Sequence, residues 1–161
     1  MRSYFAGGCF WCVSPIFRLY GVDRVVSGYS GGREENPSYE DVKAQKTGHR
    51  ETVMLEYDPR KVSYGTLLGV FFDNVDPFDP GGQFIDRGRS YTLAIYYVNE
   101  EEKKLAGEKI AELERESGKK AFVSLEPFSG FYEAEERHQD YDLKNPEALE
   151  KELVASGRKQ V

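Results

Sequence analysis

Cys9 and Cys12 sit in the run Gly7-Gly8-Cys9-Phe10-Trp11-Cys12, and they are the chain's two cysteines. Two thiols separated by two residues, where a short apolar strand gives way to an apolar helical pattern, make a redox arrangement with a physical cause. Amides at a helix start point outward and carry partial positive charge. They favour a thiolate, so the spacing predicts a depressed pKa and a nucleophile at Cys9 near neutral pH. Positions i and i+3 lie on one helix face, which puts Cys12 within reach of an oxidised Cys9 sulfur. The paired glycines let the backbone turn tightly and leave the thiol accessible.

Four chemistries fit this pair taken alone: a dithiol redox enzyme, a thioredoxin-like disulfide exchanger, half of a zinc site, and two inert core cysteines. Zinc asks for four ligands, and His49 and His138 complete the count, but their separation matches no compact Cys-Cys-His-His spacing. Free cysteine also behaves as a small core residue. The redox reading is favoured by the position of the pair at a strand-to-helix junction.

The elements that must carry the pair alternate. Ser3 to Ala6 reads as a strand, followed by a helix starting near Cys9 and stopped by Gly21. Pro15 leaves open a start or restart at Ser14, with Ser14-Pro15 as N-cap and N1. Val22 to Gly28 reads as a second strand, Ser30 to Ser38 as a loop, and Tyr39 to Gln45 as a short helix or turn. Residues 52 to 57 alternate with strand periodicity. Ser63 to Asn74 reads as a helix, Asp76 to Gly88 as a long surface loop, Tyr91 to Val98 as a strand, and Asn99 to Ser117 as a charged helix capped by Asn99. Ala121 to Glu126 reads as a last strand, with helices over Glu133 to Tyr141 and Pro146 to Ala155. Such alternation predicts a sheet covered by helices, in the α/β (α+β) class.

Composition narrows the function classes. The 161 residues, 39% hydrophobic and 31% charged, suit one globular domain over 1–161. A formal net charge of −6 argues against generic nucleic-acid binding, which rests on basic patches. No apolar run approaches the roughly 20 residues of a membrane helix. Met1 to Phe5 runs almost directly into the Gly-Gly-Cys segment, so a cytoplasmic location is the default expectation.

Further segments carry a resemblance. Gly8-Cys9-Phe10-Trp11 resembles the nucleophile signature of A-type methionine sulfoxide reductases, the peptide-methionine (S)-S-oxide reductases. Gly28-Tyr29-Ser30-Gly31-Gly32 resembles the family's glycine-rich loop, and Asn36-Pro37-Ser38-Tyr39 its tyrosine loop. Thr47-Gly48-His49-Arg50-Glu51 is similar to the segment bearing the catalytic glutamate. Asp86-Arg87-Gly88 with Tyr91 resembles the aspartate and second tyrosine, and His138-Gln139 with Tyr141 the C-terminal signature. Six motifs in one order span about Phe5 to Pro146. The chain departs from the common pattern at Cys12, where many members carry Gly, and in having no cysteine further on. It also departs at Ser90, Thr92 and Val75, where Gln, Arg and His are common.

The resemblance implies a two-layer sandwich with a mixed sheet of ferredoxin-like type. It implies reduction of methionine S-sulfoxide, protein-bound or free. Cys9 is then the nucleophile, Glu51 the proton donor, Tyr39 and Tyr91 hydroxyl donors to the sulfoxide oxygen, and Asp86 a site carboxylate. Phe10 and Trp11 are the apolar wall for the S-methyl group. Cys9 becomes a sulfenic acid, which Cys12 resolves to a disulfide that thioredoxin or a similar dithiol reduces. No metal or organic cofactor, nucleic acid or membrane enters. His49 and His138 are expected as structural hydrogen-bonding residues. The rival functions are a general thiol–disulfide oxidoreductase and a non-catalytic binder of oxidised methionine peptides.

Overall fold

The computed structural model describes residues 1–158. Strand β1 (Arg2–Ala6) leads through Gly7 and Gly8 into helix α1 (Phe10–Arg18), then β2 (Arg24–Ser30), α2 (Tyr39–Lys43) and β3 (Arg50–Glu56). Helix α3 (Tyr64–Asp73), a two-strand hairpin of β4 (Gly82–Gln83) and β5 (Asp86–Arg87), and a 3-10 turn at Arg89–Tyr91 follow. The chain continues through β6 (Leu93–Tyr97), α4 (Glu100–Ser117), β7 (Val123–Pro127), β8 (Tyr132–Glu133), a 3-10 turn at Glu136–His138, α5 (Tyr141–Lys144) and α6 (Pro146–Ser156).

The main sheet runs β7-β6-β1-β3-β2-β8. Its four central strands pair antiparallel, while β7 joins β6 in parallel. In chain order β6-β1-β3-β2 is fourth-first-third-second, with α1 and α3 as the crossovers. This is the split βαβ arrangement of ferredoxin-like sheets.

The period of two along each strand divides the core. Phe5, Val25, Tyr29, Val53, Leu55, Leu93 and Ile95 face the helices, packed with Phe10, Phe17, Leu67 and Phe71. Tyr4, Ala6, Val26, Met54, Ala94 and Tyr96 face the other way, covered by Phe128 and Phe131. By the same alternation Glu51 shares the helix-side face with Val53 and Leu55, and its neighbour Arg50 turns to the opposite one. Gly28 is required where it stands, because a Cβ there would run into the Phe131 ring and the Tyr132 carbonyl of the adjoining edge strand.

Local signals explain the helix ends. Ser38, Ser63 and Asn99 each accept an amide from the first turn of α2, α3 and α4. Gly118 and Gly157 end α4 and α6 in the left-handed region. Helix α1 begins at Phe10 with Cys9 as its N-cap and passes through Pro15 without a restart at Ser14.

Several boundaries differ from the sequence reading. The second strand is shifted to Arg24–Ser30, where its register against β3 is fixed. The last long strand starts at Val123, because it pairs with β6 only from Leu93 onward. The helix expected over Glu133 to Tyr141 is not formed. Tyr132 and Glu133 pair instead with Tyr29 and Gly28, and Gln139 Nε2 and Oε1 bond the backbone of Ser27 and Ala134. The 76–88 segment is not all loop: it holds the β4–β5 hairpin and the fully buried Gln83. Among the described residues, no helix is long and apolar enough to cross a membrane.

Candidate active site

The site forms where β1 hands over to α1, above the start of β3. Gly8 takes a positive φ of 90°, and a Cβ there would come within 2.6 Å of Arg158 Nη2 and 2.9 Å of Gln83 Cβ. The turn delivers Cys9 to the N-cap of α1, with its carbonyl accepting from the amides of Cys12 (3.1 Å) and Val13 (3.2 Å). Glu51, opposite Tyr29 in the sheet register, points into this helix start. The Phe10 amide donates to Glu51 Oε1 at 3.1 Å. The other oxygen, Oε2, is buried and has no hydrogen-bond partner among the described residues.

Burial dominates the Glu51 carboxyl and lifts it to about 8, with the Phe10 amide opposing and Asp86 adding to the rise. The acid therefore holds its proton at neutral pH. A carboxyl that burial keeps protonated where water would ionise it is the form a general acid must take.

Aromatic rings wall the same place. Phe10 lies 6.2 Å from Tyr39 and 5.5 Å from His138 between ring centroids. Trp11 stacks on Tyr141 at 4.1 Å and on Tyr39 at 5.8 Å, and its Nε1 donates to His138 Nδ1 at 3.0 Å. Tyr39 is set at the first position of α2, its amide donating to Glu135 Oε2 at 3.0 Å. The hydroxyls of Tyr39 and Tyr91 are both held well up, by burial first and then by the charges of Glu51, Cys9 and Asp86. Both remain donors throughout the neutral range. Asp86, on β5 and half-buried, is raised by burial and then by Glu152. The structure thus gathers Cys9, Phe10, Trp11, Tyr39, Glu51, Asp86 and Tyr91 around one helix start.

The cysteines correct one expectation. Both are free and buried. Cys9 is not depressed but raised well above the ordinary thiol range, through its hydrogen bond with Cys12 first, then burial and the fields of Glu51 and Asp86. Cys12 is lowered, by the same hydrogen bond and then, against burial, by Arg158. The partial charge at the helix start is outweighed by Cys12 first, and then by a desolvated pocket with acids around it. Cys9 and Cys12 form one buried cluster with Leu149 of α6, against which Trp11, Tyr141 and Leu153 pack.

The histidines serve as hydrogen-bonding residues. The Gly32 amide donates to His49 Nδ1 at 3.1 Å, and His49 Nε2 lies 2.7 Å from the Glu34 carbonyl. That use leaves no support for the zinc reading, and among the described residues no three His, Cys, Asp or Glu side chains cluster as a metal site.

Three participants carried no local signal. Glu135 receives the Tyr29 hydroxyl at 2.8 Å as well as the Tyr39 amide. Gln83 exchanges bonds with the Asp76 backbone at 2.8 Å and fixes the hairpin behind Gly8. Arg158 donates to the Gly7 carbonyl at 2.7 Å. Gln83 and Glu135 sit in the neighbourhood of recognisable motifs, whereas Arg158 lies in the solvated C-terminal stretch.

A buried protonated carboxyl beside a free cysteine pair on a ferredoxin-like sheet defines a thiol-dependent oxidoreductase. The family model described as peptide methionine sulfoxide reductase matches residues 1–161. The chain is 48% identical to the peptide methionine sulfoxide reductase MsrA of Halalkalibacterium halodurans, covering 98% of this chain and 91% of that one. It is also 48% identical to the MsrA of Bacillus velezensis, covering 96% and 89%. Among solved structures it is similar to reduced Mxr1 from Saccharomyces cerevisiae, with a TM-score of 0.86, 28% identity and coverage of 91% and 86%. It is also similar to methionine sulfoxide reductase A of Corynebacterium diphtheriae, with a TM-score of 0.81, 26% identity and coverage of 90% and 74%. The chain belongs to the peptide methionine sulfoxide reductase family, thiol-dependent enzymes that reduce methionine sulfoxide to methionine.

Proposed function

We propose that the chain, acting as one domain over 1–161, reduces the S-sulfoxide of methionine, protein-bound or free, with Cys9 as nucleophile and Glu51 as proton donor. The observation that carries this reading is the Glu51 carboxyl: buried, protonated at neutral pH, and with Oε2 unpartnered beside the helix start that bears Cys9.

Sulfoxide sulfur is electrophilic, but its oxygen leaves poorly until protonated. Phe10 and Trp11 receive the S-methyl group, and the Tyr39 and Tyr91 hydroxyls donate to the oxygen. Asp86 is the site carboxylate that orders water or the loop. As Cys9 sulfur attacks, Glu51 gives its proton to the oxygen. The oxygen passes to Cys9, methionine leaves, and Cys9 is a sulfenic acid. Glu51 regains a proton from the Cys9 thiol or from water.

Cys12 then attacks the Cys9 sulfur. A Cys9–Cys12 bond forms, the Cys9 S–O bond breaks, and the oxygen leaves as water. An external dithiol of the thioredoxin type reduces the disulfide by exchange. The cell's cytoplasm, where such dithiols are kept reduced, is the compartment this chemistry needs.

Turnover of S- and R-methionine sulfoxide peptides with dithiothreitol, measured separately, tests the reading. Reduction of the S form alone is expected. Equal reduction of both, or dithiol–disulfide exchange without sulfoxide reduction, contradicts it.

A further inference from the structure

Helix α2 carries Tyr39 at its first position and is five residues long, with Val42 its buried residue. A helix so short does not hold its own place in water. Its front end is tied by Ser38 Oγ, which accepts from the Asp41 amide at 3.2 Å, and by the bond from the Tyr39 amide to Glu135. Its far end is tied by a residue that the reaction described above does not use. Gln45 takes a φ of 63°, in the left-handed region that residues other than glycine enter at a cost. Its Nε2 donates to Ser90 Oγ at 2.7 Å and to the Lys43 carbonyl at 3.1 Å, and the Ser90 amide donates to Gln45 Oε1 at 3.0 Å. The side chain lies so close over Gly88 that a Cβ there would come within 2.6 Å of Gln45 Cδ.

What Gln45 grips is the turn that presents Tyr91. Ser90 is buried and immediately precedes Tyr91, whose own amide donates to the Gly88 carbonyl at 3.0 Å. The turn Arg89–Tyr91 lies against β3, which carries Glu51, and against the β4–β5 hairpin, which carries Asp86. On the other side of Tyr91, Thr92 Oγ1 accepts from Arg50 Nε at 2.8 Å. Ser90 and Thr92, both departures from the residues common in the family, thus flank Tyr91, and each is bonded to the stretch between Tyr39 and Glu51. Two bonds from one planar amide to Ser90 fix orientation as well as distance. Because the front of α2 is held separately, the part released by losing the Gln45 amide is the turn, and with it Tyr91.

We propose that Gln45 is a positioning residue for sulfoxide reduction: its side-chain amide locks the Arg89–Tyr91 turn to the end of α2 and so holds the Tyr91 hydroxyl at a fixed place relative to Tyr39. The inference rests on the reading of Tyr91 as a donor to the sulfoxide oxygen. Gln45 acts through Tyr91 and not on the substrate. A donor held in place before the S–O bond breaks costs no reorganisation when charge develops on the oxygen, and a donor left on a loose turn loses that advantage.

The test is single-turnover methionine release over a range of substrate concentrations in Gln45→Asn and Gln45→Gly, with urea unfolding of each. Both residues accept the left-handed backbone, and neither side chain spans to Ser90. Urea midpoints should stay close to wild type. The saturating rate should fall about tenfold, less than the roughly 10²–10³ that removing a whole donor costs, with the half-saturating concentration little changed. Tyr91→Phe should slow the same step further. Adding Gln45→Asn to Tyr91→Phe should cost nothing more, because the positioned hydroxyl is already gone.

Wild-type rates in both Gln45 variants, with Tyr91→Phe slow, overturn the proposal and leave Tyr91 as a donor. A loss confined to the half-saturating concentration, a loss that follows the urea midpoint, or a loss of full size in the Tyr91→Phe background also overturns it. A wild-type rate in Tyr91→Phe itself retires Tyr91 as a donor, and the positioning role with it. Tyr91→Phe alone therefore tells the two failures apart.

Discussion

Arg50 and Glu51 are adjacent on β3, both buried and both chargeable, yet the protein treats them in opposite ways. Arg50 turns to the sheet face away from the helices, where its Nε donates to Thr92 Oγ1 at 2.8 Å and its Nη1 to Tyr96 at 3.1 Å and Glu126 at 2.7 Å. Glu126 in turn accepts from Ser124 at 2.7 Å. Glu51 turns to the helix face and receives one amide, with its second oxygen unpartnered. A buried charge bonded through Nε and Nη1 ties β3 to Thr92, β6 and β7 and reacts with nothing. A buried acid left half-met is pushed to about 8 and keeps a proton it can give away. One step along a strand, with its period of two, separates structural electrostatics from chemistry.

The comparison can be broken at the reactive side first. Cys9→Ser is expected to abolish methionine release even in a single turnover, since a hydroxyl at that position offers no thiolate. Methionine release from Cys9→Ser at a rate near that of the unmodified enzyme would remove the site from this helix start. Glu51→Gln keeps the Phe10 contact but has no acid proton. Single-turnover release should fall about 10²–10⁴-fold, with circular dichroism unchanged. A fall of less than about tenfold would make Glu51 structural, like its neighbour.

On the other face the effect should appear in stability instead. Glu126→Gln removes the charge that meets Arg50 and is expected to cost about 1.5–3 kcal/mol in urea unfolding, while methionine release per folded molecule stays close to wild type. A large catalytic loss with little destabilisation would reverse the division. Because Glu126 is partly exposed, a value at the low end of that range is the natural outcome.

The last effect is a pH dependence of stability. Burial raises Glu51 from 4.5 in its ordinary state to about 8 in the folded protein. The folded state therefore holds a proton that the unfolded chain releases. The stabilisation linked to that proton is complete below pH 4.5 and is lost as pH rises through about 8. Urea midpoints of the wild type should fall relative to those of Glu51→Gln across that window. Parallel curves would show that the folded protein does not hold this proton.

The reactive side was far more legible in the sequence than the structural one. Cys9, Glu51, Tyr39 and Tyr91 sit in short motifs whose order carries the resemblance that singles them out, whereas the face Glu51 takes is seen only in the β3 register. Arg50 lies within a quoted motif, yet its network joins Thr92, just before β6, with Tyr96 of β6 and Glu126 of β7, which no local pattern announces. The segment after β8 misled for a related reason: Glu133 to Tyr141 has helical composition, but pairing with β2 and the Gln139 bonds to Ser27 overrule it. The expected low thiol pKa at Cys9 failed because the neighbouring Cys12 raises it first, and burial and the acids Glu51 and Asp86, brought in by elements far apart in sequence, add to the rise. Arg158 was invisible because it lies far along the chain from the turn it bonds.

The pH dependence of single-turnover methionine release tests the central claim, that Glu51 is the proton donor. In the wild type the rate is expected to fall as pH rises through about 8, where Glu51 loses its proton. In Glu51→Gln that descending limb should be absent and the residual rate should only rise or level with thiolate formation. A descending limb that persists unchanged in Glu51→Gln, or a wild-type rate that climbs through pH 8 without turning, would contradict it.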